Sequence, residues 1–149
     1  MVSLFPVTVH VIFRRDDKVL LIRRFNTGYE DRKYSVPSGH VERGESIRQA
    51  AAREAKEEIG IELEPTHVRF AGVMHRKSDD ERVDFFVEAT QWQGEPANLE
   101  PHKCDELLWA PMGSLPSNLI PYVMSALQDR QHAGWFEEFG WNGDDIPAP

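Results

Sequence analysis

Glu54, Glu57 and Glu58 are the residues of this chain whose type and spacing could do chemistry together. On a helix, offsets of three and four residues share a face, so Glu54 lies one turn before both of the others. Carboxylates crowded in this way repel. A solvated helix face normally spreads its acids or sets a lysine four residues on, whereas Glu54 is followed at that spacing by Glu58. Hard divalent cations such as Mg2+ or Mn2+ take clustered oxygen ligands and would relieve the repulsion. Arg53, inside the cluster, could orient one carboxylate from behind. The competing reading is an acidic amphipathic helix with its charges in water.

The flanking residues predict the helix that such a site needs. Ser46 and Gln49 have capping-box spacing, residues 47–59 contain neither Pro nor Gly, and Gly60 is a natural stop. Ala51, Ala55 and Ile59 form a neighbouring stripe that can pack on a core. Upstream, Val7, Val9, Val11 and Phe13 alternate with Thr8, His10 and Ile12, which predicts a strand over 7–14. Asp16 and Asp17 turn the chain into a partner strand over 18–24. Residues 25–34 are a polar loop with aromatic ends, suited to a lid or substrate wall. Within it, Tyr29 or Tyr34 either stacks on a base or anchors the loop.

Downstream, residues 67–77 and 82–91 predict two strands, with Phe70, Phe85 and Phe86 in the core, and 107–109 return to the sheet. A second helix is predicted from a cap at Ser117 or Asn118, through Pro121 in its first turn, to about Gln131. The aromatic segment 132–141, with Trp135, Phe136, Phe139 and Trp141, is expected to pack on the domain or on a second subunit as a homodimer. Residues 142–149 read as a frayed tail.

A chain of 149 residues suits one domain, here 1–149 with its core over about 5–131. A net charge of −8 argues against a surface for nucleic-acid polymers, and an acidic protein handling a phosphorylated substrate must bring in cations. The single Cys104 excludes an internal disulfide and fits a reducing compartment. With no signal-like start and no apolar run of membrane length, a cytoplasmic protein without membrane contact is expected. The histidines show no zinc spacing, and no G-x-S-x-G elbow supports a nucleophilic serine.

The spacing from Gly39 through Glu45, Arg53-Glu54, Glu57-Glu58 and Gly60-Ile61 resembles the signature of the Nudix hydrolase family, G-x5-E-x7-R-E-U-x-E-E-x-G-U with U aliphatic. One position departs: Ala55 stands where Ile, Leu or Val is usual, which predicts looser packing under the helix. The resemblance implies an α/β/α sandwich around a central mixed sheet, of the α+β kind, with the signature helix on one face. It also implies a MutT-like, Mg2+-dependent hydrolase of a nucleoside diphosphate linked to a group X. The metal ligands it implies are the Gly39 carbonyl, Glu54, Glu57, Glu58 and a further carboxylate facing the helix. Glu106 is the candidate for that carboxylate, with Asp105 and Glu100 as alternatives and a solvated acidic loop as the other reading. Glu57, Glu58 or Glu106 could take the proton from water, and Glu45 fixes the loop or adds a distal contact.

Arg23 and Arg24 stand where relatives reach substrate phosphates, or are a solvated pair. His40 lies in the short strand leading into the signature and joins the substrate-binding candidates. Asn118 lies near a position that reads the purine edge in 8-oxo-dGTP-cleaving relatives, besides its capping duty. The downstream marks of ADP-ribose, dinucleoside polyphosphate and NADH branches are missing, with His75-Arg76-Lys77 where the first would carry Pro. Elimination leaves a nucleoside triphosphate or a modified one such as 8-oxo-dGTP. Alternatives are ADP-ribose, a nucleotide sugar, or a non-catalytic nucleotide sensor.

Overall fold

The computed structural model describes residues 1–128 and 132–141. Strand β1 (Val7–Arg15) turns at Asp16, which takes a left-handed φ of 57°, into β2 (Lys18–Arg24). Two short strands follow, β3 (Tyr34–Ser35) and β4 (Ser38–His40), and then helix α1 (Ile47–Ile59). A 3-10 turn leads into β5 (Val68–Lys77), β6 (Glu81–Ala89) and β7 (Cys104–Pro111). Helix α2 (Pro121–Leu127) and strand β8 (Trp135–Phe139) complete the described chain.

The strands form one mixed sheet in the order β3-β2-β1-β6-β5-β8, with β4 beside β1 and β7 beside β2. β1 runs parallel to β6 and antiparallel to β2 and β4. Strand alternation gives β1 two characters. Val9, Val11 and Phe13 point to one face and pack with Leu20 under Ala50, Ala51, Ala55 and Ile59 of α1. Ile12 points to the other face and packs with Met74, Phe86 and α2. The helices therefore lie on opposite faces, as the resemblance implied. Ala50, Ala51 and Ala55 are all fully buried, so the small residue at position 55 leaves no surface of the helix seam open to solvent.

The α1 boundaries agree with the capping argument. The Ser46 hydroxyl accepts from Gln49 N–H, the Gln49 side chain accepts from Ser46 N–H, and Gly60 closes the helix at φ 70°. The second helix is shorter than its sequence predicts. It starts at Pro121 and ends at Leu127, with Ile120 as N-cap and no side-chain cap from Ser117 or Asn118. Proline disfavours helical dihedrals in the residue before it, and Ile120 sits at ψ 131°, so the helix cannot extend ahead of Pro121 and residues 116–119 form a separate turn. The Gln131 end and the tail from Asn142 lie outside the described residues.

The C-terminal aromatics enter the sheet as β8, parallel to β5, rather than covering it as a loop. The Trp135 indole lies over Gly72 and 5.5 Å from the Phe86 ring, while Phe136 stays exposed. Phe70 was expected in the core but is exposed, whereas Phe86 is fully buried. A β-carbon at Gly72 would overlap the Trp135 indole. Gly72→Ala should therefore unseat β8 and destabilise the fold by about 1–3 kcal/mol, read as a lower urea midpoint. An unchanged midpoint would show that β8 adds nothing to stability.

Candidate functional site

A cleft of about 870 Å3 opens beside β4. Its acidic wall is the exposed end of α1 with Glu54, Glu57 and Glu58, together with Gly39 of β4 and Glu100 from the loop before β7. Arg24, Arg82 and Lys103 bring positive charge to the other sides, and Asn26, Thr27 and Tyr29 come from the loop after β2. His10, Arg76 and Tyr122 form the floor.

Arg53 organises the acidic wall. Its Nε and Nη2 donate to the two Glu45 carboxylate oxygens at 2.7 and 3.0 Å, and Nη2 also to the His40 carbonyl at 3.0 Å. Nη1 donates to Glu54 at 2.8 Å and to Glu57 at 3.2 Å. Glu45 also accepts from Glu42 N–H, which ties the loop before α1 to the helix. Hydrogen bonds from Arg53 hold the Glu45 carboxyl below its usual range, and those same bonds raise the Arg53 guanidinium.

Glu54 lies against the Cα of Gly39, and a β-carbon there would overlap its carboxyl group. Burial raises the proton affinity of Glu54, against the pull of Arg53. Burial raises Glu58 further, helped by the charges of Glu54 and Glu100. Glu58 Oε2 is shut from solvent and meets no hydrogen-bond partner among the described residues. A buried carboxylate oxygen without a partner is costly. Hard oxygen donors around such an atom, with a glycine allowing close approach, fit a hard divalent cation. Among the described residues no three acidic, histidine or cysteine side chains form a ready-made metal cage. Arg53 accounts for this, because it grips Glu54 and Glu57. Glu57 is the most exposed of the three and the one most easily turned inward.

Strand parity corrects the further carboxylate. Leu107 and Trp109 of β7 pack with the α1 cluster, so Glu106 points to the opposite face. There it lies 3.4 Å from Arg23, and Tyr34 hydrogen-bonds to it. Asp105 binds Arg23 through both oxygens, at 2.7 and 3.1 Å. Glu100, the other alternative, is the one that lines the cleft and faces Glu58.

Arg23 is thus engaged by acids and does not line the cleft, whereas Arg24 does. Arg24 Nε donates to the Tyr29 carbonyl at 2.8 Å, and Nη2 to the Thr27 hydroxyl at 3.1 Å, so it also shapes the loop. Tyr29 and His40 line the cleft; Tyr34 is buried in β3. Asn118 neither lines the cleft nor caps α2, and its amide donates to the Arg32 carbonyl at 2.9 Å. The floor escaped the sequence reading. Asp84 accepts from Arg76 at 2.7 and 3.3 Å and bonds His10 Nε2 at 3.0 Å, all nearly inaccessible to solvent. The signal for it was polar Thr8 and His10 on one parity of an otherwise apolar strand, with Asp84 in the apolar run of β6.

Beside the mixed sheet, a glutamate helix held by an internal arginine lines a glycine-backed cleft, and similarity to a known family and its pyrophosphatases makes the chain a hydrolase acting on pyrophosphate bonds. The NUDIX domain family model matches residues 4–129, and the chain belongs to that family. It is 29% identical over 95 residues to the 8-oxo-dGTP diphosphatase of Escherichia coli (strain K12), covering 63% of this chain and 72% of that protein. It is 42% identical over 55 residues to the ADP-ribose pyrophosphatase of Methanocaldococcus jannaschii, covering 37% of this chain and 32% of that one. Among solved structures, the MutT NUDIX hydrolase from Burkholderia pseudomallei superposes with a TM-score of 0.76 at 28% identity, over 83% of this chain and 95% of that one. Among the described residues no helix is long and apolar enough to cross a membrane.

The floor predicts a pH dependence of stability. Burial lowers the His10 pKa from 6.5, so the fold refuses a proton that the unfolded chain accepts. Burial would raise Asp84, but hydrogen bonds from His10 and Arg76 and the Arg76 charge outweigh it and hold its pKa at about 2, against 3.8. Both shifts have the same sign. His10 costs nothing above pH 6.5, and stability falls below it by up to about 1.4 kcal/mol per pH unit. The Asp84 contribution is complete above pH 3.8 and fades toward pH 2. Urea unfolding from pH 8 to 4 should show the first decline, and His10→Phe should flatten it; the same slope in both proteins would contradict the assignment.

Proposed function

We propose that this hydrolase cleaves the pyrophosphate linkage of a modified nucleoside triphosphate such as 8-oxo-dGTP, giving the nucleoside monophosphate and pyrophosphate. The observation that carries the chemistry is the Glu58 oxygen that has no partner among the described residues, close to Glu54 and Glu100, in a cleft also lined by the cations Arg24, Arg82 and Lys103. Enzymes of this family generally use divalent metals. Here Glu54, Glu58 and the Gly39 carbonyl would hold the ion, with Glu57 turning in from Arg53. Such an ion supplies neutralisation of the pyrophosphate charge and acidifies an attacking water.

The remaining work falls to the chain. Arg24, Arg82 and Lys103 bind phosphate oxygens that the net negative charge of the protein would otherwise repel. Tyr29, on its loop, covers the substrate and limits water. Glu100, from the loop before β7, takes the proton of the attacking water on its carboxylate. The nucleotide preference is supported by the 8-oxo-dGTP diphosphatase relative, of whose length the chain matches 72%. A second reading, ADP-ribose or another ADP compound, is favoured by the ADP-ribose pyrophosphatase relative, over a shorter match.

Phosphate or pyrophosphate release should be measured over a panel of unmodified and 8-oxo nucleoside triphosphates, ADP-ribose, NADH, dinucleoside polyphosphates and nucleotide sugars. With Mg2+, 8-oxo-dGTP should be cleaved best, and EDTA should abolish the activity. Preferred cleavage of ADP-ribose would replace the first reading with the second. Glu57→Gln should cut turnover by about two orders of magnitude or more with an unchanged melting temperature. Near-normal turnover of that variant would remove Glu57 from the site. Glu100→Gln should lower kcat by about 10²–10⁴-fold while Mg2+ affinity holds. A loss of Mg2+ affinity instead would make Glu100 a ligand rather than the base.

A further inference from the structure

At the floor of the cleft Thr8 Oγ1 is buried with no partner among the described residues, and so is Nδ1 of His10, a residue about 1% exposed. The state of this nitrogen follows from its neighbours. Arg76 donates twice to Asp84, at 2.7 and 3.3 Å, which keeps Asp84 a carboxylate that can only accept. His10 Nε2, 3.0 Å from Asp84, must then be the protonated nitrogen. Burial keeps the ring neutral, so Nδ1 is a bare lone pair. The ring cannot turn away from this role. It is stacked on Phe86 at 4.6 Å and braced edge-on by Tyr122 at 5.5 Å.

The surroundings state what could meet that lone pair. The Asp84 carboxylate already balances the charge of Arg76, so the floor offers little to a second phosphate or carboxylate. The Arg76 guanidinium lies over the Tyr122 ring at 3.7 Å, and among the described residues its Nη1 donates only to the Tyr29 hydroxyl, at a long 3.4 Å. The floor therefore combines a fixed acceptor, a weakly engaged donor and aromatic surfaces. That chemistry suits a neutral planar heterocycle carrying an N–H.

We propose that His10 is a specificity-determining residue whose Nδ1 accepts an N–H of the substrate's nucleobase, with Asp84 as the positioning residue that fixes its tautomer. The inference rests on the reading of this cleft as the nucleotide site. A base without an N–H leaves the buried lone pair unpaired, and sites built around a hydrogen bond reject such analogues strongly. The N–H belongs to the base or, in a nicotinamide nucleotide, to a carboxamide, and the two sources are separable.

The test measures binding, which needs no turnover, for the full-length protein in Mg2+. The ligands are 8-oxo-dGMP and dGMP (base N–H), nicotinamide mononucleotide (carboxamide N–H) and purine riboside monophosphate (no base N–H). Wild type should bind the first two about tenfold or more tighter than purine riboside monophosphate, and His10→Phe should erase that difference. A loss spread equally over all ligands, a loss confined to nicotinamide mononucleotide, or no binding by any of them overturns the assignment. Cleavage in the panel above judges the hydrolase reading separately, since a chain could turn over nucleotides with His10 playing no part.

A measurement on wild type guards against a variant that fails to fold. The 15N resonance of His10 Nδ1 should lie in the unprotonated range in the free protein and move upfield with 8-oxo-dGMP or dGMP, but not with purine riboside monophosphate. A structural histidine would give the same shift with every ligand, and that result would also overturn the proposal.

Discussion

Negative charge is crowded into this cleft, and Arg53 makes the crowding tolerable. One guanidinium reaches Glu45, Glu54, Glu57 and the His40 carbonyl. It ties the loop before α1, the helix itself and β4 into a single block. A planar fork with five donors can do this, while a lysine ammonium could satisfy only part of the set. Glu58 lies outside that grip and keeps an oxygen with no partner among the described residues. The α1 glutamates thus divide into those bonded to Arg53 and the one that is not.

The sheet supplies the second half of the site through the two faces of β1. Its apolar parity seats α1, and its polar parity carries Thr8 and His10 toward the cleft. Because β4 spans only Ser38–His40, the cleft can pass beside it from the glutamates of α1 to the floor formed by β5, β6 and α2. The α1 glutamates and the floor are therefore built on helix and strands, while Tyr29 with its neighbours, and Glu100 with Lys103, come from two loops. This division suits a reaction in which the pyrophosphate must be held still while the Tyr29 loop admits different nucleotides.

The relatives share the frame and differ in what they act on, as their names show: an 8-oxo-dGTP diphosphatase and an ADP-ribose pyrophosphatase. Under the proposed reading the glutamate helix handles the pyrophosphate, and the groups that would touch the attached part lie on the floor and the loop, among them His10, Arg76 and Tyr122.

The sequence by itself determined the catalytic helix. Its limits, cap and acidic face depend on neighbours three and four residues away, and local spacing carries all of that information. It determined the strands β1, β2, β5 and β6 for the same reason, since alternation is local. The start of α2 is local as well, because Pro121 holds Ile120 out of helical dihedrals. Only the tertiary structure decided which acid faces Glu58. Glu100, Asp105 and Glu106 are near neighbours in sequence, and the parity of β7, fixed by where Leu107 and Trp109 bury, turned Glu106 away. Only the tertiary structure assembled the floor, because His10, Arg76 and Asp84 come from three strands. Their partnership is set by sheet register and burial, which no local pattern encodes.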